Sequence, residues 1–144
     1  MPQFEYLVSH LDRRGVSGVI VEDKVFPKRN SLDATASQQL EDPEVFSHKI
    51  QAGKAVAATE DFMIIARLES LIAGTGLQDA LDRAERYIQA GVDGIMIHSN
   101  RREPDDLFAF AQAYGPLCER LGRRPLLVSV PTTYNHHSDE ELVE

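Results

Sequence analysis

Residues 62–69 have the sequence FMIIARLE, in which five consecutive apolar side chains end at an arginine and, two positions later, a glutamate. The apolar run is too short for a helix and does not alternate between apolar and polar residues. It therefore predicts a strand buried on both faces of a parallel sheet. Three further runs have the same character, at residues 18–21, 94–97 and 126–130. The sequence thus predicts four buried strands.

Helical patterns alternate with these strands. The last of them is expected to end at Gly115 and Pro116, because proline removes a helical hydrogen bond and crowds the preceding turn. The others combine apolar side chains at helical spacing with start signals such as Asp42-Pro43 or stop signals such as Gly91. The predicted helices cover about residues 4–13, from 43 onward, about 77–88, and from 104 onward.

The order of elements predicts an α/β protein with right-handed crossovers between parallel strands. An open doubly wound sheet and a (β/α)8 barrel both fit that order. Each apolar run ends at polar residues, and barrels build their active sites at the carboxyl ends of all the strands, whereas open sheets use one switch point. No G-x-G-x-x-G follows a strand. We therefore expect a portion of a (β/α)8 TIM-type barrel, with about four parallel strands alternating with helices, as one partial domain over residues 1–144.

The composition restricts the partners. Fifteen Lys and Arg residues against 23 Asp and Glu residues give a net charge of -8, which argues against nucleic acid as a partner. A small anionic substrate is compatible with this charge, because one local arginine can dominate a pocket. No apolar run could span a bilayer and no secretory signal opens the chain, so we expect no membrane partner. The single cysteine, Cys118, excludes an internal disulfide and a thiolate metal cluster, and it fits a cytoplasmic protein.

Residues 23–42 connect the first predicted strand to the next helix without a clear periodicity. Loops this long inside a compact domain commonly carry function, and this one follows the carboxyl end of a strand. We therefore expect residues 23–42 to form a gating loop over a site.

Four segments together resemble a known family. Residues 18–32, 66–69 with 73–77, 91–99 and 130–134 are similar, in this order, to the phosphoenolpyruvate mutase family of the isocitrate lyase superfamily. The resemblance implies a modified (β/α)8 barrel that interconverts phosphoenolpyruvate and phosphonopyruvate with Mg2+, forming a carbon–phosphorus bond in phosphonate biosynthesis.

The resemblance also implies roles for strand-end residues. Arg67 matches an arginine that holds the anionic substrate, and the planar guanidinium suits carboxylate or phosphate oxygens. His98 matches a histidine that contacts the substrate. Glu22 matches an acidic residue that supports the metal through water, and Glu69 also suits Mg2+, which prefers oxygen ligands. An alternative for Glu69 is a structural ion pair with Arg67.

The remaining candidates lie on the gating loop and after the last strand. Lys28, Asn30 and Ser31 match the lid of the family, whose asparagine handles the phosphoryl group during transfer. Thr132 follows the last strand at a position that can face the substrate. Such a lid excludes water, which would otherwise capture the phosphoryl group.

Several alternatives stay open at this stage. A phosphonopyruvate hydrolase shares most of this site, whereas a carbon–carbon lyase of the superfamily would carry a cysteine in the loop. The family's Asp-x-Asp-Thr-Gly metal motif is absent, so we expect a truncated member. An inactive half-barrel is the non-enzymatic alternative, and exposed sheet edges lead us to expect a homo-oligomer.

Overall fold

A computed structural model describes residues 2–28, 30, 31, 33, 38–103, 105–132, 134–136 and 138. Its one sheet contains four parallel strands in the spatial order β1-β2-β3-β4. The four predicted strands are thereby confirmed, with bounds β1 Gly18–Glu22, β2 Met63–Leu68, β3 Gly94–Ile97 and β4 Leu126–Ser129.

The helices follow the predicted alternation, with one addition. A single-turn helix, α3, lies directly after β2, so that the chain turns at Glu69 before the longer helix begins. The predicted start of the second helix is confirmed, since the Asp42 side chain accepts hydrogen bonds from the backbone N–H groups of Glu44 and Val45. The bounds are α1 Pro2–Asp12, α2 Pro43–Val56, α3 Ser70–Ala73, α4 Gly76–Ala90 and α5 Asp105–Leu121.

The predicted end of the last helix at Gly115 and Pro116 is wrong, because α5 continues through Pro116 to Leu121. Proline removes one backbone donor from the helix, but apolar side chains on both sides of it lie on the buried face. Phe110 before the proline and Leu117 after it are both buried in the core. Tertiary packing therefore carries the helix across the break that the local sequence predicts.

The core lies between the sheet and the helices α2, α4 and α5. Alternate residues of β2, namely Ile64, Ala66 and Leu68, are fully buried, while the residues between them are less so. This alternation places one face of the strand on the core and the other on the opposite side of the sheet.

Burial on both faces, which the apolar runs predicted, holds only for β3. The outer strands β1 and β4 are partly exposed, with Ile20 at 53% and Leu126 at 56% of full exposure. In the sheet that the described residues form, each of these two strands has a neighbour on one side only. No helix within the described ranges is long and apolar enough to cross a membrane.

The strand register brings the predicted site residues to one edge. Glu22 pairs with Arg67 across β1 and β2, and Ile97, the last residue of β3, pairs with Ser129 of β4. Because all four strands are parallel, their carboxyl ends meet at the same edge of the sheet. Residues 29, 32 and 34–37 of the expected gating loop, and Thr133 after β4, lie outside the described residues.

Candidate active site

A cavity of about 260 Å3 opens at the carboxyl edge of the sheet. Residues at or just beyond the end of every strand contribute to its wall, and the loop after β1 adds two more. Most of the predicted site residues are therefore brought together, although they come from distant parts of the chain. The wall consists of Glu22, Asn30, Ser31, Arg67, His98, Val130 and Thr132.

The guanidinium of Arg67 is held from three sides. Its Nε donates to Glu69 Oε1 at 2.5 Å, and its Nη2 donates to Ser31 Oγ at 3.2 Å. Its Nη1 lies 3.5 Å from Glu22 Oε1. These contacts use every nitrogen of the planar group and fix its orientation, so Arg67 presents an oriented cation at the cavity wall.

Glu69 lies beneath this arginine and is fully buried. Besides the Arg67 contact, its Oε2 accepts from Ser31 Oγ at 2.5 Å and lies 3.0 Å from Lys24 Nζ. Burial opposes ionisation of the carboxyl, but the Ser31 hydrogen bond and the charges of Arg67 and Lys24 hold its pKa below the ordinary value. Both carboxylate oxygens are thus occupied by protein groups, which favours the ion-pair role over the expected metal-ligand role.

Lys24 belongs to the polar group that follows the first predicted strand, but the sequence analysis assigned it no role. It is 3% exposed, and its ammonium contacts Ser31 Oγ at 2.8 Å as well as Glu69. The available signal was its position, two residues after the strand end at Glu22. The alternation of side chains along β1 does not predict that Lys24 contacts Ser31 and Glu69, because β1 ends at Glu22.

His98 follows β3 directly and is 4% exposed. Its Nδ1 is buried and has no hydrogen-bond partner among the residues that the structure describes. Burial lowers the pKa of the imidazole, and the neighbouring Arg67 charge lowers it further. His98 thus contributes to the cavity wall a ring whose neutral form is favoured and whose Nδ1 is not used by any described residue.

Lys28 lies beside the cavity and is not part of its wall. Its Nζ donates to the backbone carbonyl of Glu22 at 3.0 Å and lies 3.9 Å from the Glu22 carboxylate. Burial lowers the pKa of this amine, while the negative charge of Glu22 opposes the shift. Lys28 thus adds positive charge next to the one carboxylate in the cavity wall.

The described residues do not by themselves form a Mg2+ site. No group of three His, Cys, Asp or Glu side chains among them is arranged to hold a metal ion. Glu22 is the one acidic residue in the cavity wall, and its oxygens face the cations of Arg67 and Lys28. Glu69, the second expected ligand, is occupied as described above.

The charges around the cavity favour an anion. Three cations, Lys24, Lys28 and Arg67, stand against two carboxylates, Glu22 and Glu69. The excess positive charge lies in a partly buried site, where water screens it poorly. A small molecule with carboxylate or phosphoryl oxygens would supply the missing negative charge.

Comparisons with known proteins agree with this geometry. The family model described as phosphoenolpyruvate phosphomutase matches residues 1–144. The phosphoenolpyruvate phosphomutase of Tetrahymena pyriformis is 43% identical over 129 residues, which is 90% of this chain and 41% of that protein. The phosphonopyruvate hydrolase of Variovorax sp. strain Pal2 is 39% identical over 137 residues, which is 95% of this chain and 45% of that protein.

A solved structure of a related protein has a similar fold. The crystal structure of a phosphonopyruvate hydrolase in complex with oxalate and Mg2+ superposes with a TM-score of 0.79 at 37% identity, covering 96% of this chain and 44% of that one. The chain thus spans less than half the length of these relatives, and its four strands are a portion of a (β/α)8 barrel. The match over the full 144 residues, together with these relatives, shows that the chain belongs to the phosphoenolpyruvate phosphomutase family.

Proposed function

We propose that this chain carries the substrate-binding edge of a phosphotransferring isomerase that interconverts phosphoenolpyruvate and phosphonopyruvate. The observation that supports the proposal is the cavity at the carboxyl edge of the sheet, whose wall combines Arg67 and His98 from two strand ends with Asn30 from the loop after β1. Both substrates are small anions with a carboxylate and a phosphorus group, which matches the excess positive charge of the site.

The proposed reaction moves the phosphorus group between two atoms of one molecule. The bond from phosphorus to the enol oxygen of phosphoenolpyruvate breaks, and that oxygen keeps the electron pair as an enolate. The methylene carbon of the enolate then supplies the pair for the new carbon–phosphorus bond, and the oxygen becomes the ketone of phosphonopyruvate. No proton is gained or lost, so the enzyme needs positioning and electrostatic stabilisation above all.

Within this reaction Arg67 and His98 serve the pyruvate part of the substrate. The fixed guanidinium of Arg67 suits paired carboxylate and enolate oxygens, since its contacts already set its orientation. The neutral imidazole of His98 supplies a hydrogen bond without adding a second full charge. Thr132 lies in the same wall and provides a further polar contact.

The loop residues serve the phosphorus group. Asn30 and Ser31 line the cavity, and Asn30 is proposed to guide the group in transfer. Lys28 adds charge nearby. Residues 23–42 are proposed to form the gating loop that excludes water, and an antiparallel bridge between Lys24 and Leu40 joins its two ends.

Mg2+ is the proposed cofactor of this reaction. A similar hydrolase was crystallised with oxalate and Mg2+. In this chain Glu22 is the carboxylate placed to support such an ion through water, and the described residues offer no second one at the cavity wall.

Phosphonopyruvate hydrolysis is the second candidate, because the Variovorax relative with that activity is 39% identical. In that reaction water captures the phosphorus group and yields pyruvate and inorganic phosphate. A carbon–carbon lyase with a loop cysteine is disfavoured, because Cys118 is buried in α5.

Phosphorus NMR separates these reactions. The protein is incubated with phosphonopyruvate and Mg2+, and the phosphorus signals are followed with time. Conversion to phosphoenolpyruvate supports the isomerase, whereas inorganic phosphate supports the hydrolase. An unchanged phosphonopyruvate signal contradicts both and supports an inactive half-barrel.

A further inference from the structure

Asp23 is a buried carboxylate that the proposed reaction does not use. It has no exposed surface and does not line the cavity. Its Oδ1 accepts from the backbone N–H of Glu69 at 2.9 Å, and its Oδ2 accepts from Arg83 Nη1 at 3.2 Å and from the Tyr87 hydroxyl at 3.0 Å. A carboxylate with three donors in the interior has a fixed position.

Asp23 holds the end of β2 at two points. Its backbone N–H donates to the carbonyl of Arg67 at 3.1 Å, while its side chain accepts from the N–H of Glu69. β2 ends at Leu68, and the backbone turns at Glu69, with φ -105° and ψ 12°. Asp23 satisfies the buried N–H donor of Glu69, and it thereby fixes the backbone from which the Glu69 carboxylate extends.

Arg83 and Tyr87 of α4 hold the Asp23 carboxylate and are together called the clamp. Arg83 and Tyr87 lie one turn apart on this helix, both are buried, and Arg83 Nη1 also donates to the Tyr87 hydroxyl at 3.1 Å. Arg83 further donates to the carbonyl of Glu41 at 2.9 Å, so it ties the end of the loop to the same centre. Burial raises the pKa of Asp23, while the Glu69 N–H and Arg83 oppose the shift.

The contacts form a continuous path from the outer helix to the cavity wall. Tyr87 and Arg83 hold Asp23, Asp23 holds the backbone of Glu69, and the Glu69 carboxylate holds Arg67 Nε at 2.5 Å. We propose that Asp23, clamped by Arg83 and Tyr87, is a positioning residue that sets the orientation of the Arg67 guanidinium through Glu69. Its consequence for substrate binding rests on the proposed function, whereas its effect on Arg67 does not.

The test measures Arg67 directly, in the 144-residue chain. Hydrogen exchange of the Arg67 Nε–H is followed by nitrogen-15 NMR, with the signal assigned through Arg67→Lys. The Tyr87→Phe variant removes one hydrogen bond from Asp23 and keeps the ring in place. Because such a bond contributes on the order of 1 kcal/mol, we expect exchange at Nε to become about fivefold faster.

The matched control is Tyr114→Phe. Tyr114 is also a buried helical tyrosine, and its hydroxyl donates to the carbonyl of Pro125 at 3.0 Å, on α5 and away from the cavity wall. The Tyr114→Phe variant loses a comparable hydrogen bond, so we expect a similar loss of stability but no change in the exchange rate of the Arg67 Nε–H. Backbone amides of α5 report global unfolding in both variants. Equal Nε exchange rates in the two variants, once global unfolding is subtracted, would overturn the proposal.

A second variant and a binding measurement complete the test. Asp23→Asn keeps an acceptor for Glu69 but presents an amide to Arg83 and Tyr87, and we expect a larger effect on Nε exchange than from Tyr87→Phe. If this variant does not fold, the Tyr87→Phe comparison decides. Oxalate binding, measured by calorimetry, should weaken about fivefold in Tyr87→Phe and stay unchanged in Tyr114→Phe. Failure of the unaltered chain to bind oxalate would count against the proposed function, while the exchange result would still decide the role of Asp23.

Discussion

Replacing Glu69 with glutamine tests whether the buried carboxylate organises the site. The substitution keeps the size of the side chain and one oxygen acceptor, but it removes the negative charge between Arg67 and Lys24. The Lys24 side chain is 2% exposed and lies 3.0 Å from Glu69 Oε2. Its ammonium would then be buried next to an amide and would lose the counter-charge of Glu69.

The size of the effect follows from burial. Removing one partner of a buried ion pair costs about 3–5 kcal/mol, because the remaining charge is left uncompensated. Glutamine still offers an oxygen to Ser31 or Lys24, so we expect the lower end, a decrease of about 3 kcal/mol in the free energy of unfolding. That is a large share of the stability of a typical domain, which is roughly 5–15 kcal/mol.

Urea unfolding followed by circular dichroism measures this loss, since the chain has no tryptophan to report by fluorescence. The matched control is Glu85→Gln, which breaks a contact of 2.7 Å to Arg120 on the surface, where the side chains are 29% and 59% exposed. We expect the control to lose less than about 1 kcal/mol. An equally small loss for Glu69→Gln would refute the reasoning that the Glu69 cluster is a desolvated, charge-compensated unit.

The same comparison has a predicted pH dependence. The folded-state pKa of Glu69 is depressed below its ordinary value of 4.5, because the Ser31 hydrogen bond and the nearby cations outweigh burial. Its contribution to stability is therefore present above pH 4.5 and is lost as the pH falls through the folded-state pKa. The difference in the free energy of unfolding between the unaltered protein and Glu69→Gln should therefore narrow as the pH falls below 4.5. A difference that is constant from neutral pH to acid would contradict this assignment.

Three further predictions concern the cavity wall and the backbone. Burial and the Arg67 charge lower the pKa of His98 below its ordinary value of 6.5. NMR titration of His98 should therefore give a midpoint below 6.5, and this midpoint should rise in Arg67→Met. A midpoint above 6.5 in the unaltered protein would contradict this prediction. Since the unfolded chain binds this proton more readily, the His98 contribution to stability should decrease as the pH falls below 6.5. In an active form of the enzyme, Arg67→Ala and His98→Ala should each slow turnover about a hundredfold or more, and near-normal rates would remove that residue from the site. Finally, Gly18→Ala places a Cβ 2.5 Å from the Met63 carbonyl oxygen and should lower the urea midpoint, and a raised midpoint would contradict this. Gly115→Ala meets no atom within 4 Å and should stabilise the helix by up to about 1 kcal/mol, and a lowered midpoint would contradict that.

Much of the fold could be predicted because its signals are local. Apolar runs of strand length, separated by amphipathic patterns with capping residues, gave the alternation of strands and helices. The polar residues at strand ends then placed Glu22, Arg67 and His98 at one edge, because parallel strands align their carboxyl ends. Periodicity and strand direction suffice for these conclusions.

The predictions about the fold that were wrong share a different physical origin. The apolar character of β1 and β4 predicted burial on both faces, but both strands are partly exposed in the sheet that the described residues form, and no local pattern records which elements cover a strand. Pro116 predicted a helix end, but the buried face of α5 outweighed the lost hydrogen bond. In both cases packing between distant elements overrode the local preference.

The candidate site also combines features that the sequence predicts with features that depend on tertiary packing. The chain itself determined which chemical groups follow each strand, since an arginine, a histidine and two glutamates stand there in the sequence. Only the tertiary structure decided that Glu22 faces the cavity, whereas Glu69 is buried under Arg67, Lys24 and Ser31. The physical reason is that a carboxylate's role depends on which partners reach it, and Ser31 reaches Glu69 from 38 positions away along the chain.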